Sequence, residues 1–344
     1  MSRENARSQD HWDEPPEEEI YERPVRPVRP RRPPRRQRGP WLWLLTGCAS
    51  GIFAVVLTAA IIIFLAVRGA TGGSIGGIGN LSTYTQSKMQ QFQLTSLTQL
   101  QVHDQIGSVT ITEDPSASAL TVTTTKKVKA NNSDDANKEF GRISAQVRPG
   151  DTTLTVDATV PDSSGSLLGN HNDSVDVTIT VPTSLTTPAA TISAAAPLML
   201  NVDTSVGDVR VTGLSGVLTI KDHIGNVTVR QAVLADGSHL QTSTGNATFA
   251  GKLDTSMTIS NSSPRYKIQS EVGNVDVTLP ATTNAILDAA TNVGKINSEF
   301  AISVQNNDNG ASFYGPLIPN TNPPPSAVLA LSVGQGNVNL HVAT

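Results

Sequence analysis

Cysteine is all but missing from this chain of 344 residues: Cys48 stands alone, so no disulfide can form within it. Whatever fold follows must be held by burial and backbone pairing. Metal-ligand spacing is missing too. The six histidines, His11, His103, His171, His223, His239 and His341, keep no zinc-like interval with one another or with the cysteine. There is no Gly-x-Ser-x-Gly elbow, and the adjacent Asp222 and His223 would face opposite sides of a strand, so a hydrolytic triad is excluded. Acid-rich calcium loops are lacking as well, because the recurrent turns supply Asp208 and then only the neutral Asn226, Asn246, Asn274 and Asn337. Aromatic residues make up 4% of the chain and do not interleave with its basic stretch, so no nucleic-acid partner is expected. These absences predict a protein that is not an enzyme and needs no cofactor or metal.

What is present is unevenly distributed. The net charge of -4 hides ten arginines and no lysine in the first forty residues, eight of the arginines lying between Arg23 and Arg38. Recurrent proline in "RPVRPVRPRRPPRRQR" fixes φ and removes amide donors, which predicts a disordered tail of polyproline-II character over residues 1–40. One long apolar run follows, Trp41–Val67, without a charge. Its 27 positions would make about 40 Å of helix, more than a hydrocarbon core of about 30 Å requires, so one transmembrane helix is expected over 41–67. Arg35, Arg36 and Arg38 flank its N-terminal side beside the interfacial Trp41 and Trp43, while the other side has Arg68 and then no basic residue until Lys88. The positive-inside rule therefore places the tail in the cytoplasm and the remainder outside, in a single-pass protein of the cell membrane. The same arginines can hold anionic lipid headgroups. "LTGC", Leu45 to Cys48, resembles a lipoprotein cleavage site, but most of the apolar run follows the cysteine instead of preceding it. Residues 68–96 read as a Gly-rich linker, polar and with at most a helical turn near its end.

From Leu97 onward the chain repeats itself. "DTSVGDVRVTG", "DHIGNVTVRQ", "STGNATFAGK", "EVGNVDVTLP" and "GQGNVNLHVA" each set alternating apolar residues around a glycine followed by Asp or Asn. The turns are Gly207-Asp208, Gly225-Asn226, Gly245-Asn246, Gly273-Asn274 and Gly336-Asn337, with a variant at Gly294 and an outlier at Gly107. From Gly207 the steps through Gly294 to Gly336 are 18, 20, 28, 21 and 42 residues, the last twice 21. A period near 20 marks units that bury their apolar faces only against neighbours. Type I′ hairpins prefer Asn-Gly, and every copy here has the reverse order, which favours stacked corners over a chain of hairpins.

The predicted fold is therefore all-β: a β-solenoid or β-helix-like stack of ~20-residue rungs. Looser alternation between Leu97 and Val181 predicts an antiparallel N-terminal sheet capping it, and "NNSDDANKEFGRISAQV" can hold one short helix. "NNDNGASFYGPLIPNTNPPPS", Asn306–Ser326, reads as a surface loop. "VDVTITVP", "LMLNVDTSVGDVRVTGLSG" and the Gly-Asn-Val copies that follow resemble the bacterial putative-adhesin domain, a β-repeat domain of cell-envelope proteins. The resemblance covers roughly residues 97–344 and implies a fold and an envelope location, while its motif names no functional residue to carry over. The expected function is presentation of this domain for adhesion or envelope scaffolding toward an extracellular or envelope ligand. The alternative is envelope-stress sensing, with the Arg/Pro-rich tail reporting to a cytoplasmic partner.

Overall fold

A computed structural model describes residues 62–66, 81–161, 173–186, 197–254, 265–307, 309–320, 324–325 and 327–343, all within a unit running from Phe53 to Thr344. The N-terminal tail, Arg35, Arg36, Arg38, Trp41, Trp43, Cys48 and the linker's residues 68–80 lie outside them.

Each repeat folds as two strands meeting at its glycine, and the copies pair in parallel and in register. The first arms form one ladder, in the spatial order Thr153–Thr159, Gln99–Ile106, Leu198–Val206, Ser215–Ile224, His239–Thr244, Arg265–Val272, Ala327–Gln335 and Ala285–Val293. The second arms form another: Ser174–Pro182, Val109–Asp114, Val209–Thr212, Val227–Leu234, Ala247–Leu253, Val275–Pro280, Val338–Ala343 and Ile296–Ser298. Alternation at period two sends one side chain of each pair inward. Like residues consequently stack in columns: Val209 on Val227 on Ala247, and Val211 on Val229 on Phe249. All six are fully buried, and each such aliphatic contributes roughly 1.5–3 kcal/mol, which stands in for the missing disulfides.

The stacking order departs from the chain order at both ends. The last copy, around Gly336, lies between the copies of Gly273 and Gly294. The copy of Gly107 lies between strands contributed by residues 153–182 and 198–212. Ala327, Leu329, Leu331 and Val333 all point inward and are buried, so the final first arm suits a slot with neighbours on both sides.

Antiparallel strands cover the open edges, as edge protection requires. Ser144–Pro149 closes the first ladder on Thr153–Thr159. Leu120–Ala130 and then Ser82–Phe92 extend the second from Ser174–Pro182. At the opposite end Ala311–Pro316 pairs with Ala285–Val293 and carries Gln305–Asn306. Three expectations are corrected here. The strands from Leu97 to Val181, expected as an antiparallel cap, mostly continue the parallel ladders, and only Leu120–Ala130 and Ser144–Pro149 are added antiparallel, because inward alternation lets the earlier strands stack like any other copy. Residues 82–92, expected in the linker, are an eleven-residue strand, because the edge amides of Leu120–Ala130 need partners that a polar segment supplies as well as an apolar one. Residues 311–316, expected in a loop, are a strand for the same reason.

The transmembrane helix expected over 41–67 lies outside the described residues except at Ile62–Ala66. Ile62–Ala66 are extended and pair antiparallel with Ser82–Phe92, from Ile62 opposite Met89 to Ala66 opposite Thr85. β-branched and aromatic residues favour that state, and the strand they join has a free edge. Among the described residues no helix is long and apolar enough to cross a membrane. The longer of the two described helices, Ser133–Arg142, begins at Asn132, whose side chain accepts the Asp135 amide at 2.9 Å. It buries Ala136 and Phe140 and rests on Leu120–Ala130. Lys126 Nζ donates to Phe140 O at 3.0 Å and Ile143 O at 2.6 Å, closing its C-terminal end.

Candidate functional site

The corners are built by close approach. A Cβ on Gly245 would lie 1.9 Å from the carbonyl oxygen of Gly225; on Gly225, 2.0 Å from that of Gly207; on Gly273, 1.9 Å from that of Gly245. Their φ values, from 140° to 156°, are open only to glycine. Beside this column runs a ladder of side-chain amides. The backbone N–H of Asn246 donates to Asn226 Oδ1 at 2.9 Å, that of Asn274 to Asn246 Oδ1 at 2.8 Å, and that of Asn337 to Asn274 Oδ1 at 2.8 Å. Asp208 Oδ1 starts the run by accepting from the Asn226 amide at 3.1 Å, and Asn337 Oδ1 passes it to Lys295 N at 2.9 Å. The turn residues thus bind one another from copy to copy. Asn246→Ala removes the acceptor of the Asn274 amide, so a loss of about 1–2 kcal/mol is expected in urea unfolding, with Asn246→Asp losing far less.

A second column went unrecognised in the sequence. Three residues before the glycine, in the inward phase, stand Asp104, Thr204, Asp222, Thr242, Ser270 and Thr291, all buried. Thr242 donates its hydroxyl to Gly225 O at 2.9 Å, Ser270 to Gly245 O at 2.8 Å and Thr291 to Gly336 O at 2.8 Å. Asp104 and Asp222 stand in the same place with a carboxyl group. A Cβ built on Gly107 would lie 1.9 Å from Val175 O and 2.9 Å from Asp104 Oδ2, and one on Gly225 would lie 2.0 Å from Gly207 O and 2.7 Å from Asp222 Oδ2. For the hydroxyls the matching figures are 3.1 Å from both Ser270 Oγ and Thr291 Oγ1. Both oxygens of Asp104, 0% exposed, and Oδ2 of Asp222, 2% exposed, have no hydrogen-bond partner, as an acceptor facing an acceptor must. Burial pushes the Asp104 carboxyl up to about 7, the Asp176 carboxylate adding to the shift and the Ile106 amide opposing it. Burial likewise pushes Asp222 up to about 6, where the Thr204 hydroxyl, the Ile224 amide and His223 oppose and Asp208 adds. The sequence signal was a polar residue recurring in an apolar phase at a constant distance from glycine.

Outward, the first ladder is polar over residues 99–105, 153–159, 239–243 and 265–271, whereas Met199, 48% exposed, and Val217, Ile286, Ala290, Val328 and Ala330 interrupt the other arms. Near the Ser144–Pro149 end Gln101, His103, Thr155, Asp157, Asn201, Asp203, Thr219 and Lys221 line a shallow groove of about 340 Å³. Register sets His103 between Asp157 and Asp203, with Lys221 beside Asp203, and Asp157 pairs with Arg148. At the other end a smaller groove of about 210 Å³ surrounds Tyr314. Of the other histidines, His223 is exposed opposite the buried Asp222, and His341 Nδ1 meets Glu299 Oε1 at 3.1 Å. His239 lies between Thr219 and Lys267 on the outward face, and burial, with the charges of Lys267 and Lys221, holds its imidazole below the usual range. Among the described residues no three His, Cys, Asp or Glu side chains come together as a metal site would require. These surfaces offer hydroxyls, amides and isolated charges for recognition, without a nucleophile held against a base.

No protein-family profile matches this chain, and no curated protein matches it. Among solved structures it is similar to a putative cell adhesion protein from Clostridium sporogenes, 11% identical over 75% of this chain and 100% of that one, with a TM-score of 0.36. It is similar to a putative adhesin from Bacteroides fragilis, 16% identical over 74% and 96% of the two chains, TM-score 0.32. A putative adhesin from Parabacteroides distasonis is 12% identical over 76% and 97%, TM-score 0.23.

Proposed function

We propose that this chain is a single-pass membrane protein whose repeat domain is a β-solenoid, presented outside the cell for adhesion or envelope scaffolding without catalysis of its own. The observation that carries the reading is the polar groove on the first ladder around His103, Asp203 and Lys221. In-register pairing holds its amides, hydroxyls and charges at a fixed strand spacing of about 4.8 Å on a rigid support. A ligand surface of this kind needs placement more than reactivity. The charge-free residues 41–61 and their arginine flank support the anchor, and the same arginines would hold anionic headgroups on the cytoplasmic side.

Two measurements test this. Protease added to intact cells expressing the chain should remove the repeat domain and spare the tail; a protected domain would overturn the topology. Those cells should adhere to surfaces coated with isolated envelope material, and the combined variant His103→Ala, Asp203→Ala, Lys221→Ala should lose about tenfold of that adhesion. Equal adhesion would sink the assignment to this face. A cytosolic pull-down with residues 1–40 separates the sensing alternative, since recovery of one specific protein would favour signalling over anchoring.

A further inference from the structure

We propose that the groove around Tyr314 is a saccharide subsite that takes a single pyranose unit. It deepens the adhesion reading and rests on it only for biological context. Ala311–Pro316 is laid antiparallel on Ala285–Val293 so that Tyr314 stands opposite Asp288 and Ser312 opposite Ala290. The Tyr314 side chain is 73% exposed, the highest value among the large apolar residues described. A ring left in water on a structured strand, in a chain this poor in aromatics, is available to a ligand. Around it the groove gathers Asp288, Ser303, Gln305 and Ser312, and Phe313 closes it from below by packing against the core.

The chemistry of this set selects the ligand. None of those four polar side chains is engaged with another group among the described residues, so they offer a carboxylate, an amide and two hydroxyls to an incoming molecule. A pyranose presents a face of C–H groups, which lie against the electron-rich face of an aromatic ring, and a rim of hydroxyls, which both donate and accept. A carboxylate accepts two such donors at once, and the amide and hydroxyls take the remainder. One acid is too few to hold a hard cation, and the polar lining suits no purely apolar ligand. At about 210 Å³ the groove lies below the usual range for drug-sized molecules, which fits one sugar ring at the end of a longer chain.

Titration of the purified full-length chain in detergent with cellotriose, maltotriose and triacetylchitotriose, followed by calorimetry, tests the proposal. At least one trisaccharide is expected to bind at millimolar or lower concentration. Tyr314→Ala should weaken it about tenfold or more, Tyr314→Phe should keep it within about threefold, and Asp288→Asn should weaken it several-fold. Each variant should unfold in urea at the wild-type midpoint, because both side chains are exposed. Binding to none of the three sugars, or binding indifferent to Tyr314→Ala, overturns the subsite. Sugar binding together with wild-type adhesion by Tyr314→Ala cells would leave the subsite standing and detach it from adhesion.

Discussion

Gly245→Ala should destabilise the protein by about 3–5 kcal/mol, enough to remove much of the 5–15 kcal/mol that a domain ordinarily has. The added methyl would sit 1.9 Å from Gly225 O and 2.6 Å from Gly225 C, both backbone atoms of a strand pair already in register. Neither can move without breaking the Gly225 amide's bond to Thr244 O, 2.9 Å, or the Gly245 amide's bond to Val272 O, 2.9 Å. The φ of +144° adds about 1–3 kcal/mol of backbone strain. Gly141→Ala is the control: it lies in the helix Ser133–Arg142 with nothing within 4 Å of a new Cβ, and alanine there should stabilise by up to about 1 kcal/mol. Urea midpoints that move in opposite directions would bear this out. A neutral Gly245→Ala would mean that the corners are not held by close approach.

Stability should also fall as pH rises through neutrality. Asp104 and Asp222 have folded-state values of about 7 and about 6, above an unfolded value near 3.9. Folding therefore favours their protonated forms. Their contribution is complete below the unfolded value, is lost as pH climbs through the folded values, and is flat above them. At about 1.4 kcal/mol per unit the loss reaches roughly 4 kcal/mol for Asp104 and roughly 3 kcal/mol for Asp222. The protonated acid supplies the O–H that Thr242, Ser270 and Thr291 supply elsewhere, aimed at Val175 O and Gly207 O. Asp104 feels Asp176, itself held low because Lys127 and Ser108 outweigh its burial; Asp222 feels the charges of Asp208 and, across its own strand, His223. Asp176, with the exposed Asp114 and Glu299, has the ordinary opposite sign and loses stability only toward acid, below the window in question. Asparagine reproduces the neutral acid, an acceptor oxygen plus a donor. Asp104→Asn and Asp222→Asn should thus unfold at higher urea than wild type at about pH 8, with little difference at about pH 4. A wild-type midpoint that rises between about pH 5 and about pH 8, or asparagine variants weaker at about pH 8, would refute the argument.

The legible features were those encoded within one copy. Glycine with a following Asn or Asp between alternating apolar residues marks a corner at 207, 225, 245, 273 and 336, unlike Gly150-Asp151 in an antiparallel hairpin, and Val209 with Val211 or Val275 with Val277 marks an inward face, because both depend only on local backbone geometry. The polar residue three positions before the glycine was equally local. It was overlooked because Asp104 and Asp222 look unremarkable singly and gain meaning only as a column. Residues 82–92 and 311–316 could not be read as strands from their own composition; the unpaired edges that recruit them are made by residues 28 to 48 positions away in one case and 20 to 30 in the other. Tyr314 and its groove were likewise invisible, since Asp288 reaches it only across an antiparallel pair.

The sequence by itself determined a disulfide-free, all-β chain of glycine-cornered units, a charge-free apolar run behind an arginine-rich flank, and an absence of catalytic spacing. Only the tertiary structure decided which copy neighbours which, placing the Gly336 copy between the Gly273 and Gly294 copies, and which polar residues meet on the outward face. The physical reason is that parallel in-register pairing is nearly degenerate among similar copies. Valine stacks on valine almost equally well at any separation along the chain. The order is settled by differences that no single copy carries: which edges are already covered, and which arm buries apolar residues against two neighbours instead of one.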